Sequence, residues 1–157
     1  MVLELAELTT FGAVLGFAIN MESRVEKFYE DAAQNPNCSE TRVYFASLAE
    51  QAKRHRMILE RTRRENVAEM ILEPITGLKT GDYLTDVKPS KRLDYLDVIR
   101  LGLELQRKAE RFYLDSSGRI SLVEAARIFR RLAKEAAGRE AELKALLDKA
   151  TPADAVA

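Results

Sequence analysis

The stretch ESRVEKFY at residues 22–29 returns 84 residues later as QRKAERFY at residues 106–113. A second match follows at the same offset without a gap. It pairs FASLAEQAKRHRMIL, which begins at Phe45, with FRRLAKEAAGREAEL, which begins at Phe129. Two matches that share one offset indicate an internal duplication. Apolar residues recur at helical spacing in both segments of each half, so each half is predicted to be a hairpin of two helices.

Periodicity and the positions of the prolines predict four helices, at about residues 11–33, 39–72, 93–114 and 121–149. The segment 73–91 between the second and third helices has two prolines and two glycines and no long periodic pattern. The second helix would be roughly 50 Å long, and nineteen extended residues reach roughly 60 Å. The segment is therefore predicted to cross back along the bundle. The expected fold is all-α: one domain over residues 1–157, an antiparallel four-helix bundle of two duplicated helical hairpins joined by a long crossover.

Local signals predict how the helices begin and end. Residues 1–10 are predicted to hold a short helical turn, and Thr9 or Thr10 to cap the first helix. Asn37 or Ser39 is expected to cap the second helix. The last helix is expected to open with a capping box made by Ser121 and Glu124. The tail at residues 150–157 is predicted to be disordered.

Composition limits the possible partners and locations. Lys plus Arg equals Asp plus Glu at 25 each, so no net field favours nucleic acid or an acidic membrane surface. The apolar run from Phe11 is too short to span a bilayer, and Glu4 and Glu7 precede it where a signal peptide carries positive charge. We therefore expect a cytoplasmic protein that binds neither nucleic acid nor membrane. The single cysteine, Cys38, excludes an intrachain disulfide and is expected to be a plain exposed thiol.

The duplicated hairpin, its long crossover and the order E-x6-Y followed by LAE-x4-H resemble the rubrerythrin branch of the ferritin-like superfamily, over about residues 11–150. In that family each half supplies a Glu seven residues before the helix Tyr, then a Glu-x-x-His on the next helix. Together these residues hold two iron ions at the bundle centre. Four carboxylates offset the charge of two divalent cations, and imidazoles add ligands without adding charge. The resemblance also implies a homodimer.

Position by position, the resemblance implies a metal centre that has decayed. Two of the six ligand positions keep their ligand, Glu22 and His55. The other four positions hold residues that do not replace a carboxylate or an imidazole: Gln106, Ala52, Ala136 and Arg139. The chain also has no Cys-x-x-Cys module of the rubredoxin type to deliver electrons.

The same residues allow three interpretations. In the first, Glu22 and His55 are vestigial metal positions. In the second, Glu26 and Glu110 form a displaced metal pair, although they more simply accept hydrogen bonds. In the third, Glu22, His55, Gln106 and Arg139 form a central polar cluster of zero formal charge. Arg139 is then expected within hydrogen-bond or one-water reach of Glu22.

These patterns predict a ferritin-like protein without catalytic residues or cofactor, kept as a binding or structural module. The alternative is a rubrerythrin-type non-haem iron oxidoreductase, or an iron-handling protein, with iron in an altered site. A protein partner acting on the charged face of the second helix is a third possibility. That face mixes both signs of charge and has no aromatic interleaving, so a solvated surface is the better interpretation.

Overall fold

The computed structural model describes residues 6–71 and 74–151. It contains four long helices: α1 (Phe11–Ala33), α2 (Arg42–Glu65), α3 (Tyr95–Ser117) and α4 (Val123–Ala150). Three short 3-10 turns lie between them, at Pro36–Thr41, Val67–Glu69 and Thr80–Asp82. Within the described residues there is no β-strand, only an isolated antiparallel bridge between Glu7 and Lys79. The all-α prediction is confirmed.

The helices pack as two antiparallel pairs, α1 against α2 and α3 against α4, and α1 also contacts α3. This is the predicted four-helix bundle. Two apolar clusters fill its interior. One is built around Leu15, Phe112 and Phe129, and the other around Phe28 and Phe45. All four helices contribute side chains to each cluster, and the two clusters lie towards opposite ends of the bundle.

The first hairpin differs from the prediction at the ends of its second helix. Thr10 caps α1 as expected, because its hydroxyl accepts a hydrogen bond from the backbone N–H of Ala13 at 3.0 Å. The second helix begins at Arg42 instead of residue 39, and neither Asn37 nor Ser39 caps it. The chain before it forms a 3-10 turn, and the Asn35 side chain caps that turn by accepting from the Asn37 N–H at 2.8 Å.

The second helix also ends earlier than predicted, at Glu65 instead of about residue 72. Asn66 leaves helical geometry at φ −129° and ψ 41°, and its side chain donates to the Thr62 carbonyl at 2.8 Å. This local bond competes with the next helical turn. Residue 72 itself lies outside the described residues.

Both helices of the second hairpin begin and end slightly later in the chain than predicted. Helix α3 continues beyond residue 114 to Ser117, where the Arg119 guanidinium donates to the Asp115 carbonyl at 2.7 Å and satisfies an end group of the helix. Helix α4 begins at Val123, after Leu122, which makes no side-chain cap bond. The expected capping box of Ser121 and Glu124 is therefore absent.

Cys38 is not the exposed thiol that the sequence suggested. Its residue is 1% exposed and packs in the apolar cluster with Phe28 and Phe45. Burial raises the pKa of the Cys38 thiol. The 3-10 turn between α1 and α2 turns this side chain inward, which spacing alone did not predict.

The crossover is anchored to the bundle at both of its ends. Near its start, the N–H groups of Leu8 and Thr80 donate to the carbonyls of Leu78 and Ala6, each at 2.8 Å. Near its end, the buried Asn35 amide donates to the Ser90 carbonyl at 2.7 Å, and the Ser90 hydroxyl donates to the Phe28 carbonyl at 2.6 Å. The helical turn predicted at residues 1–10 is thus wrong for residues 6–8, which pair with the crossover.

Two predictions about the ends of the chain concern residues outside the described ranges. These are the start of the proposed helical turn, residues 1–5, and most of the proposed tail, residues 152–157. Residue 150, placed in that tail, instead ends α4. Among the described helices, none is long and apolar enough to cross a bilayer.

Candidate functional site

A polar layer separates the two apolar clusters. It contains one buried side chain from each helix: Glu22 from α1, His55 from α2, Gln106 from α3 and Arg139 from α4. Their exposed fractions are 3%, 5%, 1% and 7%. Each residue lies on the inward stripe of its helix, between apolar residues of one cluster and those of the other. Buried polar groups at this depth require hydrogen-bond partners from the protein.

Glu22 is held by a tyrosine and lies next to the histidine. The Tyr113 hydroxyl donates to Glu22 Oε2 at 2.8 Å. His55 Nδ1 lies 3.4 Å from the same oxygen but makes no hydrogen bond there. His55 Nε2 lies 3.2 Å from Oε2 of Glu135, whose side chain is 45% exposed. The imidazole therefore lies between one buried carboxylate and one that reaches solvent.

Burial raises the pKa of Tyr113 well above its ordinary value, and the Glu22 carboxylate raises it further. The phenol therefore stays protonated at neutral pH. It can act towards Glu22 only as a hydrogen-bond donor.

Arg139 contacts amide oxygens on the other side of the layer. Its Nε donates to Gln106 Oε1 at 3.1 Å, and its Nη1 donates to Gln51 Oε1 at 3.2 Å. The Gln106 amide in turn donates to the Tyr29 hydroxyl at 2.9 Å. Arg139 was expected within hydrogen-bond or one-water reach of Glu22; among the described residues the two make no ion pair or direct hydrogen bond. The amide oxygens of Gln106 and Gln51 accept the hydrogen bonds of the guanidinium instead.

The contacts of the layer occur in pairs related by the 84-residue offset. The hydrogen bond between Tyr113 and Glu22 corresponds to the one between Gln106 and Tyr29. The close approach of His55 to Glu22 corresponds to the hydrogen bond between Arg139 and Gln106. The close approach of His55 to Glu135 corresponds to the hydrogen bond between Arg139 and Gln51. This pairing supports the proposed duplication.

Sequence reasoning missed two side chains that contact the layer from its edge, Gln51 and Glu135. Both occupy the same repeat position, immediately before Ala52 and Ala136. A polar residue kept beside each lost ligand position was the signal that could have found them. This signal was not recognised, because neither residue occupies a ligand position of the family.

The residues considered for a displaced metal pair have other contacts. Glu26 Oε1 accepts from Arg56 Nη2 at 3.1 Å. Glu110 lies beside Glu140, whose pKa is raised to about 7, first by burial and then by the Glu110 carboxyl, with Arg107 opposing. Among the described residues, no group of three or more His, Cys, Asp or Glu side chains is arranged to hold a metal ion.

The donor set does not fit a di-iron centre. Such a centre requires several carboxylates around two divalent cations. Here the buried layer offers one carboxylate and one imidazole, and a guanidinium occupies a position where the family has a ligand histidine. Guanidinium has no lone pair for a metal and keeps its charge at any physiological pH.

The comparisons with known proteins agree with this fold. A family model described as Rubrerythrin matches residues 13–147. A solved structure of a hypothetical protein from Pyrococcus furiosus is similar with a TM-score of 0.66 and 23% identity over 86% of each chain, which shows likeness of fold. A comparison with curated proteins gives no match. Since the family model spans most of the chain, the protein belongs to the rubrerythrin family of the ferritin-like superfamily.

Proposed function

We propose that this protein is a ferritin-like module that works without a di-iron centre, as a binding or structural scaffold and not as an oxidoreductase. The observation that carries the proposal is the position of Arg139. Its guanidinium lies in the buried layer at a family ligand position and donates to Gln106 and Gln51 at 3.1 and 3.2 Å. A fixed cation at this place repels a divalent metal ion, and its hydrogen bonds occupy the neighbouring side chains.

The layer has its own charge balance. Glu22 contributes one negative charge and Arg139 one positive charge, and the Gln106 amide contributes none. In the family pattern four carboxylates require two metal cations. In this chain the protein itself supplies the counter-charge. Hydrogen bonds then link all four helices through Tyr29, Tyr113 and Gln51.

Metal analysis tests this proposal directly. Protein purified from iron-supplemented medium is expected to hold well under one iron per chain. The comparison variant restores the four replaced positions as Ala52→Glu, Gln106→Glu, Ala136→Glu and Arg139→His, and it is expected to gain about two irons per chain. A restored variant that folds and binds iron shows that the assay detects such a site. Two tightly held irons in the unmodified chain would contradict the proposal.

An altered metal site is the second candidate, and with it an iron-dependent oxidoreductase or iron-handling protein. One observation favours it. His55 lies 3.4 Å from Glu22 and 3.2 Å from Glu135, so two carboxylates flank one imidazole. Under this alternative the unmodified chain holds one iron that is lost in both His55→Gln and Glu135→Gln. An exposed variant such as Glu124→Gln would retain it.

Two further proposals concern the whole protein: the family resemblance motivates a homodimer, and the sequence motivates a cytoplasmic location. Light scattering of the purified protein, performed over a range of concentrations, tests the first. A mass of one chain at all concentrations would contradict it. The identity of any protein partner is left to experiment, because fold alone does not name one.

A further inference from the structure

A groove lies between α1 and the crossover, on the outside of the bundle and away from the polar layer. Its volume is about 680 Å³, within the range of small-molecule sites. One wall is α1 from Ser23 to Asp31, and the other is the crossover from Thr85 to Lys91. We call it the crossover groove. The inference below does not depend on the function proposed for the polar layer.

The walls of the crossover groove are held in place by hydrogen bonds. The Ser90 hydroxyl donates to the Phe28 carbonyl of α1 at 2.6 Å. The Asn35 amide donates to the carbonyls of Ser90 and Leu93 at 2.7 and 2.8 Å. These bonds fix the outer wall against the helix. A site with fixed walls loses less conformational entropy on binding than one that must first be ordered.

The groove is positively charged although the chain as a whole is neutral. Its lining has four basic side chains, Arg24, Lys27, Lys88 and Lys91, and two acidic ones, Asp31 and Asp86. The basic side chains exceed the acidic ones by two, so the lining has a net formal charge of +2. Lys27 and Asp31 offset each other, with Lys27 Nζ 3.1 Å from the Asp31 carboxylate. Arg24 makes no hydrogen bond or ion pair with any other described residue.

A second, smaller cavity of about 180 Å³ adjoins the groove, and Arg24, Thr85 and Val87 line both. Thr85 is buried, and its hydroxyl oxygen has no hydrogen-bond partner among the described residues. An unpartnered buried hydroxyl forgoes a hydrogen bond that it would make in water. An oxyanion held at this junction by Arg24 would supply the missing acceptor.

We infer that the crossover groove binds an amphipathic organic anion as a free small molecule. Its carboxylate, phosphate or sulfonate head group lies on Arg24, and its apolar body lies against Phe28, Val87 and Pro89. Guanidinium binds planar oxyanions with two parallel hydrogen bonds, which explains why an arginine without a protein partner suits this position. The apolar walls favour an organic anion over a simple inorganic one.

The test uses two fluorescent probes of similar shape. 8-Anilinonaphthalene-1-sulfonate carries a negative charge, and N-phenyl-1-naphthylamine is neutral. We expect the anionic probe to bind at one site per chain, about tenfold or more tighter than the neutral probe. Arg24→Met is expected to weaken binding of the anionic probe about tenfold or more and to leave the neutral probe nearly unchanged. The control, Arg127→Met, removes an arginine that is 67% exposed on α4, and should change neither affinity.

A second measurement needs no variant. In an amide ¹H–¹⁵N spectrum of the unmodified chain, the anionic probe is expected to shift the signals of residues 23–31 and 85–91. Shifts confined to other parts of the molecule would overturn the inference, as would equal affinity for the two probes or an unchanged affinity in Arg24→Met. Groove signals that respond to protein concentration and not to the probe would also overturn it, because they would assign this face to contact between copies of the chain.

Discussion

At the scale of single residues, Arg139 is the side chain whose loss should cost most. It is 7% exposed, and it donates to the side-chain oxygens of Gln106 and Gln51. Arg139→Met is therefore expected to lower the free energy of unfolding by about 2–5 kcal/mol, because these two oxygens lose a charged donor and the layer loses its buried cation. Chemical denaturation measures the change. Arg127→Met on the same helix is the matched control and should stay within about 0.5 kcal/mol.

The double variant separates charge from packing. Glu22→Gln with Arg139→Met removes both charges, so much of the loss should be recovered relative to Arg139→Met alone. If the two substitutions are simply additive, Glu22 and Arg139 do not compensate each other. Glu22 accepts from Tyr113 whereas Arg139 donates to Gln106 and Gln51, so the cycle measures coupling between two charges that do not contact each other directly.

Glu140 gives the molecule a dependence on pH. Its pKa is raised from 4.5 to about 7 by burial and by Glu110. Between these values the folded chain keeps a proton that the unfolded chain has lost, so stability falls as pH rises through this window. Glu140→Gln removes the effect, and its gain in melting temperature over the unmodified chain should grow from pH 5 to pH 8. Because the carboxyl is partly exposed, the gain is on the order of 1 kcal/mol, or about 2–4 °C.

Thermal melts at several pH values measure this effect. The exposed carboxyl of Glu124 provides the control, since Glu124→Gln should show a pH profile parallel to that of the unmodified chain. A Glu140→Gln variant whose advantage is the same at pH 5 and pH 8 would show that Glu140 titrates normally in the folded protein.

At the scale of elements, Asn35 attaches the end of the crossover to the loop that follows α1. The buried amide bonds the carbonyls of Ser90 and Leu93, whereas the exposed Asn37 bonds only Leu93, at 3.1 Å. Asn35→Ala is expected to cost about 2–3 kcal/mol, because the Ser90 carbonyl loses its donor, the Leu93 carbonyl keeps only Asn37, and the Asn37 N–H loses its acceptor. Amide hydrogen exchange should quicken at residues 85–93 before the helices respond. Asn37→Ala is the control, and equal effects of the two variants would contradict this role.

At the scale of the whole molecule, the two apolar clusters should unfold together. Each cluster draws side chains from all four helices, and the polar layer joins them. Neither hairpin therefore has a core of its own. We expect one cooperative transition in guanidinium chloride, with the same midpoint by circular dichroism and by tyrosine fluorescence. Separate midpoints would indicate that the hairpins are independent units.

Sequence patterns predicted the helical class and the hairpin pairs, and the family resemblance predicted which four residues meet in the polar layer. The helical class and the pairing follow from periodicity and from one repeated spacing, which are local properties of the chain. A threonine cap for α1, at Thr9 or Thr10, follows in the same way, and Thr10 is the residue that caps the helix.

Packing between helices determines which partners these residues take. Arg139 donates to Gln106 and Gln51, and Glu22 accepts from Tyr113. The late start of the second helix and the buried Cys38 depend on a 3-10 turn whose side-chain contacts are not periodic. The crossover groove needs α1 and a segment more than fifty residues away. Contacts between distant parts of the chain depend on how side chains pack, and a sequence pattern predicts such contacts only where the pattern repeats.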